Sequence, residues 1–548
     1  MSSVLVLGLD GATFDVIDPL IAAGRLPHLA AWRRAGTAAP LGSTVPPMSF
    51  PAWSTFLTGL GPGDHGLFDF TQKVPGAYRI RFVNASDRRG ASIFRRATRA
   101  GRRALVLGIP ATFPPEPVSG LMVSGFDAPV STGTGARSAS DPGLYAEVAA
   151  RVGPWMRPDL DEGARAEGWH ERAVGRLLDR IDRKTAFALE ALARLRARAG
   201  GERPDLVAVV FAESDTVAHH FWRDHDPDSP RHDPSAGPAR RGAVAAVYER
   251  LDAACGELRA AFGDDAPCVV LSDHGSGGAA RHVVHLNRRL AECGLLRRSG
   301  GGRDRVARAA RDLALRALPP RAAESLFRRA RRAAARVESA ARFGGFDWRG
   351  TAAFSEEANT QPGVWINLRG REAAGSVAAG DYERVRSDVI EALLDWKLPG
   401  GAPVVARARR REEVYSGPCV GRAPDVVIEL GLDAGYGLSL VPTPWSDPRT
   451  GSVRRLDEEE LAGGRGRGMN GTHRPDGIWI ATGAAAEWLD PAAAPSLRAV
   501  APAVARALEL PGEDEDGDSD VDASAHREYT PEEEARVAAR LRALGYLE

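Results

Sequence analysis

The sequence predicts an α/β protein built on a mixed, mostly parallel sheet sandwiched by helices. Three observations predict it. Compact apolar runs recur, and several end in a carboxylate or a small residue. Amphipathic helical stretches separate them. The chain of 548 residues is 43% hydrophobic, enough for a large core. A buried parallel strand has both faces covered and so reads as a continuous apolar run.

The elements follow in order. Val4–Leu9 is the first strand and delivers Asp10-Gly11 at its C-terminal edge. Residues 14–36 read as helix. Residues 103–108 (RALVLG) are a second strand, and 173–198 a long helix. Leu206–Phe211 leads into Glu213, Ser214 and Asp215. After a helix over 239–262, Cys268–Leu271 leads into Ser272, Asp273 and His274. Alternation of this kind places strand C-termini along one crevice. The first core segment is expected over 1–285. Residues 286–350 are rich in Arg and Ala, and Pro319-Pro320 divides two amphipathic candidates, 304–318 and 322–342, so a helical insertion is expected. Its basic face reads as a cap over an anionic substrate, as a surface that meets acidic lipid, or as a solvated helical hairpin. A second core segment, 351–511, resumes with strands at 363–368, 425–430 and 478–481, and a Gly-rich loop at 463–468. Residues 512–548 form an acidic linker and a C-terminal helix over 529–547, opened by Thr530 as cap, Pro531 and three Glu.

Composition excludes several classes. Lys plus Arg (72) balance Asp plus Glu (72), which argues against a nucleic-acid binder. Lysine occurs only at Lys73, Lys184 and Lys397, a skew that fits GC-rich codon usage. The four cysteines form no CxxC, so neither a disulfide framework nor a thiolate metal site is expected. No apolar run reaches the length of a membrane span. The N-terminus has no basic n-region or cleavage site, and a cytoplasmic protein is expected.

The residues with chemistry sit after strands or in Gly-rich loops: Asp10, Asp215, His219, Asp273, His274 and His473. All are oxygen or imidazole donors, a set that suits zinc and also manganese. Six ligands exceed one catalytic zinc and suit two divalent ions. Asp215 and His219, four apart, share a helix face. Ser49 lies in Pro46-Pro-Met-Ser-Phe-Pro-Ala-Trp53 and is expected to cap a helix beginning near Pro51, where free N–H groups favour an anion. A metal-bound hydroxyl there is a candidate nucleophile.

The set resembles the alkaline phosphatase superfamily, in particular the type I phosphodiesterase/nucleotide pyrophosphatase branch and its bacterial relatives. LGLDGA supplies Asp10. SFPAWSTFLTGLGPGDHG is similar to the nucleophile segment and places Ser49 there. ESDTVAHHFW supplies Asp215 and His219, LSDHGSG supplies Asp273 and His274, and NGTHRPDG supplies His473. The resemblance runs in order through the expected ordered chain. It implies an alkaline phosphatase-like fold and a two-metal hydrolase of phosphodiester or pyrophosphate bonds, working through a phospho-enzyme. Asp10, Ser49, Asp273 and His274 would hold one ion, and Asp215, His219 and His473 the other. The substrate would be a small-molecule or lipid-linked phosphoester. Two departures stand out. Asp69 and Phe70 follow His65-Gly66-Leu-Phe, where the branch carries an Asn donor to a phosphoryl oxygen; Asn470 is a candidate replacement. The nucleophile is Ser where Thr is common. Phosphomonoesterase, phosphonate hydrolase, sulfatase, phosphoglycerate mutase-like and phosphoryl-linked group transferase activities remain open on these residues. Ser49-Phe-Pro51 is similar to a sulfatase start, but Ala52-Trp53 replaces the following Ser-Arg. Other residues are read separately: His282 and His285 as pocket-lining candidates, His65 as structural, and Trp53 as core or stacking.

Overall fold

The computed structural model describes residues 3–128, 135–155, 169–299, 342–445, 450–461, 467–490, 492, 494–511 and 527–543. The two helical candidates of the insertion (all but residue 342), the acidic segment 512–522 and most of the 463–468 loop fall outside them.

The central sheet has seven strands. Along the chain they are β1 (Val4–Leu9), β2 (Thr37–Gly42), β3 (Ala104–Leu107), β4 (Gly120–Val123), β5 (Leu206–Phe211), β6 (Cys268–Leu271) and, returning late, β15 (Asp476–Thr482). Their spatial order is β2-β15-β6-β1-β5-β3-β4. The run from β6 to β4 is parallel, and β15 is antiparallel to both its neighbours. The mostly parallel sheet is therefore present. Strand β1 sits in the middle because it is apolar at every position. Leu5, Leu7 and Leu9 join one core cluster, while Val4 and Val6 join another on the opposite face. The period-2 alternation of side chains produces this division.

Helices cover both faces. On the first lie α1 (Phe14–Ala22), α2 (Pro27–Ala35), α4 (Trp169–Arg198), α5 (Glu213–His225) and α6 (Ala243–Phe262), through residues such as Ile17, Leu29, Leu177, Phe221 and Leu251. On the second lies α3 (Ser49–Thr58), through Trp53, Phe56 and Leu57. The single helix expected over 14–36 is two. Gly24 takes φ +72° and Pro27 opens α2, so the chain turns between them. The helix expected over 239–262 is likewise interrupted at Gly242, where Pro238–Arg241 ends and α6 begins.

A second body of structure follows β7 (Gly275–Val284). Strands β8 (Ala353–Phe354), β9 (Gly363–Ile366), β10 (Val405–Arg410) and β11 (Val426–Leu430) form an antiparallel sheet. Strands β12 (Tyr436–Leu440), β13 (Val453–Arg455) and β14 (Gly471–Arg474) all pair with β7. The C-terminal helix α7 (Pro531–Ala543) starts as its sequence predicts. Thr530 N donates to Glu533, and Glu533 N donates back to Thr530 Oγ1. Its Val537, Ala538 and Leu541 pack with Met48 and Phe50, which bracket Ser49. Among the described residues no helix is long and apolar enough to cross a membrane.

Candidate active site

The C-terminal ends of β1, β5 and β6 lie side by side, and each delivers its polar residues to the same place. Asp10 follows β1, Asp215 sits in the first turn of α5 after β5, and Asp273-His274 follow β6. Strand β14, laid against β7, brings His473 opposite Ser276. The structure thus gathers all seven residues that the sequence singles out for metal binding and nucleophilic attack. All are buried except His473, which is partly buried.

They fall into two adjoining groups. In the first, Ser49 Oγ lies 3.3 Å from Asp10 Oδ1 and 3.2 Å from His274 Nε2. His274 Nε2 lies 3.6 Å from Asp10 Oδ1 and 3.4 Å from Asp273 Oδ2. In the second, His219 Nε2 lies 3.0 Å from His473 Nε2, and these stand 3.3 and 3.5 Å from Asp215 Oδ1. Ligand atoms of Asp215, His274 and His473 lie within 4.8 Å of one another, and the His274 and His473 rings stack at 3.8 Å.

The histidine tautomers follow from their partners. Each Nδ1 faces a main-chain carbonyl: Gly275 at 3.0 Å for His274, Gly471 at 3.0 Å for His219 and Pro47 at 2.9 Å for His473. A carbonyl only accepts, so Nδ1 carries the proton and donates it. Nε2 of each ring is left as a lone pair turned toward the carboxylates. This is the outer-shell arrangement of metal-ligating histidines. The electrostatics agree. Burial, with the neighbouring Asp273 and Asp215 charges, pushes the Asp10 carboxyl well above its ordinary range. Burial and the Asp215 charge push Asp273 to about 7. Burial lowers His274 to about 3. Burial opposes ionisation of Asp215 too, but the His219 and His473 imidazoles outweigh it and hold the carboxyl well below its usual range. Three buried carboxyls crowd together, and Asp273 Oδ2 accepts no hydrogen bond among the described residues. Ligand atoms about 2.0–2.2 Å from a tetrahedral ion stand about 3.3–3.6 Å apart, close to the spacings found here. The donor set fits a divalent metal.

One expectation changes. Ser49 is the first residue of α3, and Met48 is its cap. Pro51 then falls within the first turn, where a missing N–H is no loss, so the helix starts two residues earlier than Pro51 suggests. The Ser49 hydroxyl turns to Asp10 and His274 instead of capping.

Several supporting residues escape a sequence reading. Trp53, expected as core or stacking, donates Nε1–H to Asp10 Oδ2 at 3.0 Å. Three buried serines lace the Asp10 turn. Ser214 Oγ donates to the Asp10 carbonyl (2.6 Å), Ser276 Oγ donates to that of Gly11 (2.7 Å), and Ser272 Oγ accepts from Ala12 N (2.9 Å). Their position beside strand-end acids is the one signal the sequence offered. Glu213, which opens α5, pairs with buried Lys184 at 2.8 Å. Asn470 is buried behind His219. Its main-chain N–H donates to the His219 carbonyl at 2.9 Å, and its Nδ2 to that of His220 at 3.3 Å. His220 packs on the Trp169 ring at 5.4 Å, so His219 is the one that meets the cluster. His282 pairs with Asp433 at 2.7 Å, and His285 Nδ1 meets the Val441 carbonyl at 3.2 Å. His65 is structural in its bonding: Leu67 N donates to its Nδ1, and Thr55 Oγ1 lies 3.1 Å from Nε2.

Among solved structures, the fold is similar to phosphonoacetate hydrolase from Sinorhizobium meliloti in complex with phosphonoformate. The identity is 16% and the TM-score 0.52, with 92% of this chain and 96% of that one covered. Murine ectonucleotide pyrophosphatase/phosphodiesterase 5 also aligns, at 12% identity and TM-score 0.43, covering 93% of this chain and 96% of that one. Among curated proteins no sequence matches significantly. The family model described as type I phosphodiesterase/nucleotide pyrophosphatase matches residues 4–436. That span holds Ser49 and every candidate ligand named above but His473, and the protein belongs to this family of phosphoric ester hydrolases.

Proposed function

We propose that the chain hydrolyses phosphodiester or pyrophosphate bonds of a small-molecule or lipid-linked substrate with Ser49 as nucleophile and two divalent ions. The observation that carries this reading is the convergence of three Nε2 lone pairs, three carboxyls and one hydroxyl, with each imidazole fixed through Nδ1 to a carbonyl. Asp10, Ser49, Asp273 and His274 would hold one ion, and Asp215, His219 and His473 the other. The donor set suits zinc and also manganese. When bound, the ions would favour the Ser49 alkoxide and neutralise the phosphoryl oxygens.

The protein residues have their own tasks. Ser49 Oγ attacks phosphorus as the bond to the leaving group breaks, giving a phosphoserine ester. Water then attacks that ester and restores the hydroxyl. Position at the start of α3 aims the positive end of the helix at the transferred group. Burial of the cluster strengthens every charge interaction within it. Asn470 Nδ2 spends one of its two N–H donors on the His220 carbonyl, and the second is the one that would serve a phosphoryl oxygen.

The test is turnover of three nitrophenyl esters, a phosphodiester, a phosphomonoester and a sulfate, with zinc and manganese tried separately. Diester turnover that disappears with EDTA and in Ser49→Ala is the expected result. Wild-type rates in Ser49→Ala would remove the nucleophile assignment. Faster turnover of the monoester or the sulfate would keep the metal cluster and change the substrate class.

A further inference from the structure

Arg231 is fully buried at 0% exposure, and among the described residues no carboxylate pairs with it. Its guanidinium donates instead to three main-chain carbonyls: Nε to Ala280 at 2.8 Å, Nη1 to Met469 at 3.0 Å and Nη2 to Arg467 at 3.1 Å. Burying an unpaired cation costs several kcal/mol, which only well-aligned hydrogen bonds offset. A side chain needed merely to fill space would be apolar. The partners say what the charge is for.

The three carbonyls lie just beyond one end of the β7–β14 ladder. That ladder pairs Gly471 with Gly278, Thr472 with Gly277, His473 with Ser276 and Arg474 with Gly275. Ala279 N donates to the Asn470 carbonyl as its last rung, at 2.9 Å. Arg231 then bridges Ala280 within β7 to Met469 and Arg467 on the incoming chain, so its planar fork continues the cross-link beyond the start of β14.

A second observation explains why the ladder needs this. Its strands are poor in β-formers because other groups press on them. A Cβ on Gly471 would stand 2.5 Å from the Ala218 carbonyl, and one on Gly278 would stand 2.7 Å from the Tyr436 ring. Glycine permits the approach but weakens a strand. Yet this ladder carries His473, and the Gly471 carbonyl orients His219. One candidate ligand, and the carbonyl that orients a second, thus hang on a glycine-rich ladder.

We propose that Arg231 is a positioning residue that fixes the β7–β14 ladder and thereby His473 and the carbonyl that orients His219, so that the Asp215, His219 and His473 ligand group depends on it more than the Asp10, Asp273 and His274 group does. This rests on the two-metal reading above. The test is competitive zinc titration and cobalt(II) absorption of wild type, Arg231→Met and Arg231→Lys, with thermal melting as a folding control. Wild type is expected to take up two ions. Arg231→Met should bind one ion about 10- to 100-fold more weakly, as loss of outer-shell support typically does, with a clearly smaller change at the other. One of two cobalt band sets should fade accordingly. Lysine offers a point charge in place of the fork and should restore only part of the affinity. A residue that served stability alone would lower the melting temperature and leave both affinities unchanged, so two wild-type affinities in a folded variant would overturn the proposal. Where Arg231→Met does not fold, Arg231→Lys decides alone, by the same criterion. Fewer than two ions in the wild type would instead remove the two-metal reading, and this proposal with it.

Discussion

Asp10 takes its orientation from both sides. Trp53 Nε1–H holds Oδ2, and Oδ1 faces Ser49. Trp53→Phe removes that donor and leaves a small cavity where the rest of the indole packs, so its melting temperature is read alongside its metal affinity. Weaker binding of the ion held by Asp10, by about 10- to 100-fold, is expected, and zinc titration measures it. Unchanged affinity would show that packing alone orients Asp10. The next residue, Gly11, sits at φ +67°, and a Cβ there would stand 2.8 Å from Asp215 Oδ1. Gly11→Ala therefore combines about 1–3 kcal/mol of backbone strain with a push on a ligand. Loss of both stability and the Asp215-bound ion is the expected outcome, read by urea unfolding and metal content. At this scale the candidate ligands were legible through their conjunction: each motif alone is common, but acids after three strands, a DxxxH spacing and a late His in the order of a known family are not. The support was not. A buried tryptophan four residues after a candidate nucleophile looks like any core tryptophan, and a serine beside an aspartate carries no sign of which carbonyl it will meet.

Elements differ in how plainly they announce themselves. β1, β5 and β6 are apolar throughout, and burial on both faces leaves that mark directly in the sequence. The α7 start is equally plain, through Thr530 and Pro531. β14 and the first half of β7 were invisible as strands, because glycines required by close packing replace the β-branched residues that signal a strand. Partners are harder still to read. Nothing in the periodicity of α7 says that Leu541 meets the cluster containing Met48 and Phe50. Leu541→Ala should cost about 2–4 kcal/mol, as large-to-small core changes do, and a urea midpoint that does not move would show α7 to be undocked in solution. Asp127, whose carbonyl accepts from the α7-side Tyr529 hydroxyl, adds a pH dependence. Burial pushes its carboxyl up to about 6, against about 3.9 in an unfolded chain. Between those values the folded state binds a proton that the unfolded state does not. Stability from this group is thus present below about pH 4, falls as pH rises, and is lost above about 6. Asp127→Asn keeps an acceptor for Phe113 N and removes the ionisation. It should melt higher than wild type at pH 7, by up to about 3 kcal/mol, and match it near pH 4. Parallel melting curves across that window would place the carboxyl in contact with water.

The whole molecule is neutral, yet its charge is far from evenly spread. Asp10, Asp215 and Asp273 are buried together at the centre of the sheet's C-terminal edge, each 4% exposed or less. Burial and mutual repulsion push two of the three carboxyls up, so the fold carries a cost there that side-chain imidazoles offset only at Asp215. A divalent cation in each ligand group would remove that cost, and the removal would appear as stability of the entire chain, because β1, β5 and β6 are its central strands. Ions that bind the folded state alone stabilise it by about 2.7 kcal/mol each at a hundredfold excess over Kd, a shift of a few degrees in a chain of this length. Protein stripped with EDTA should therefore melt several degrees lower than zinc-loaded protein, and readdition should restore the difference in two saturable steps. Asp273→Asn should lose the step belonging to the first group and keep the other, since His219 and His473 do not depend on it. A melting temperature indifferent to EDTA and to added zinc or manganese would mean that the cluster tolerates its crowded carboxyls by holding protons. The two-metal chemistry assigned to Ser49 would then have no cation to act through.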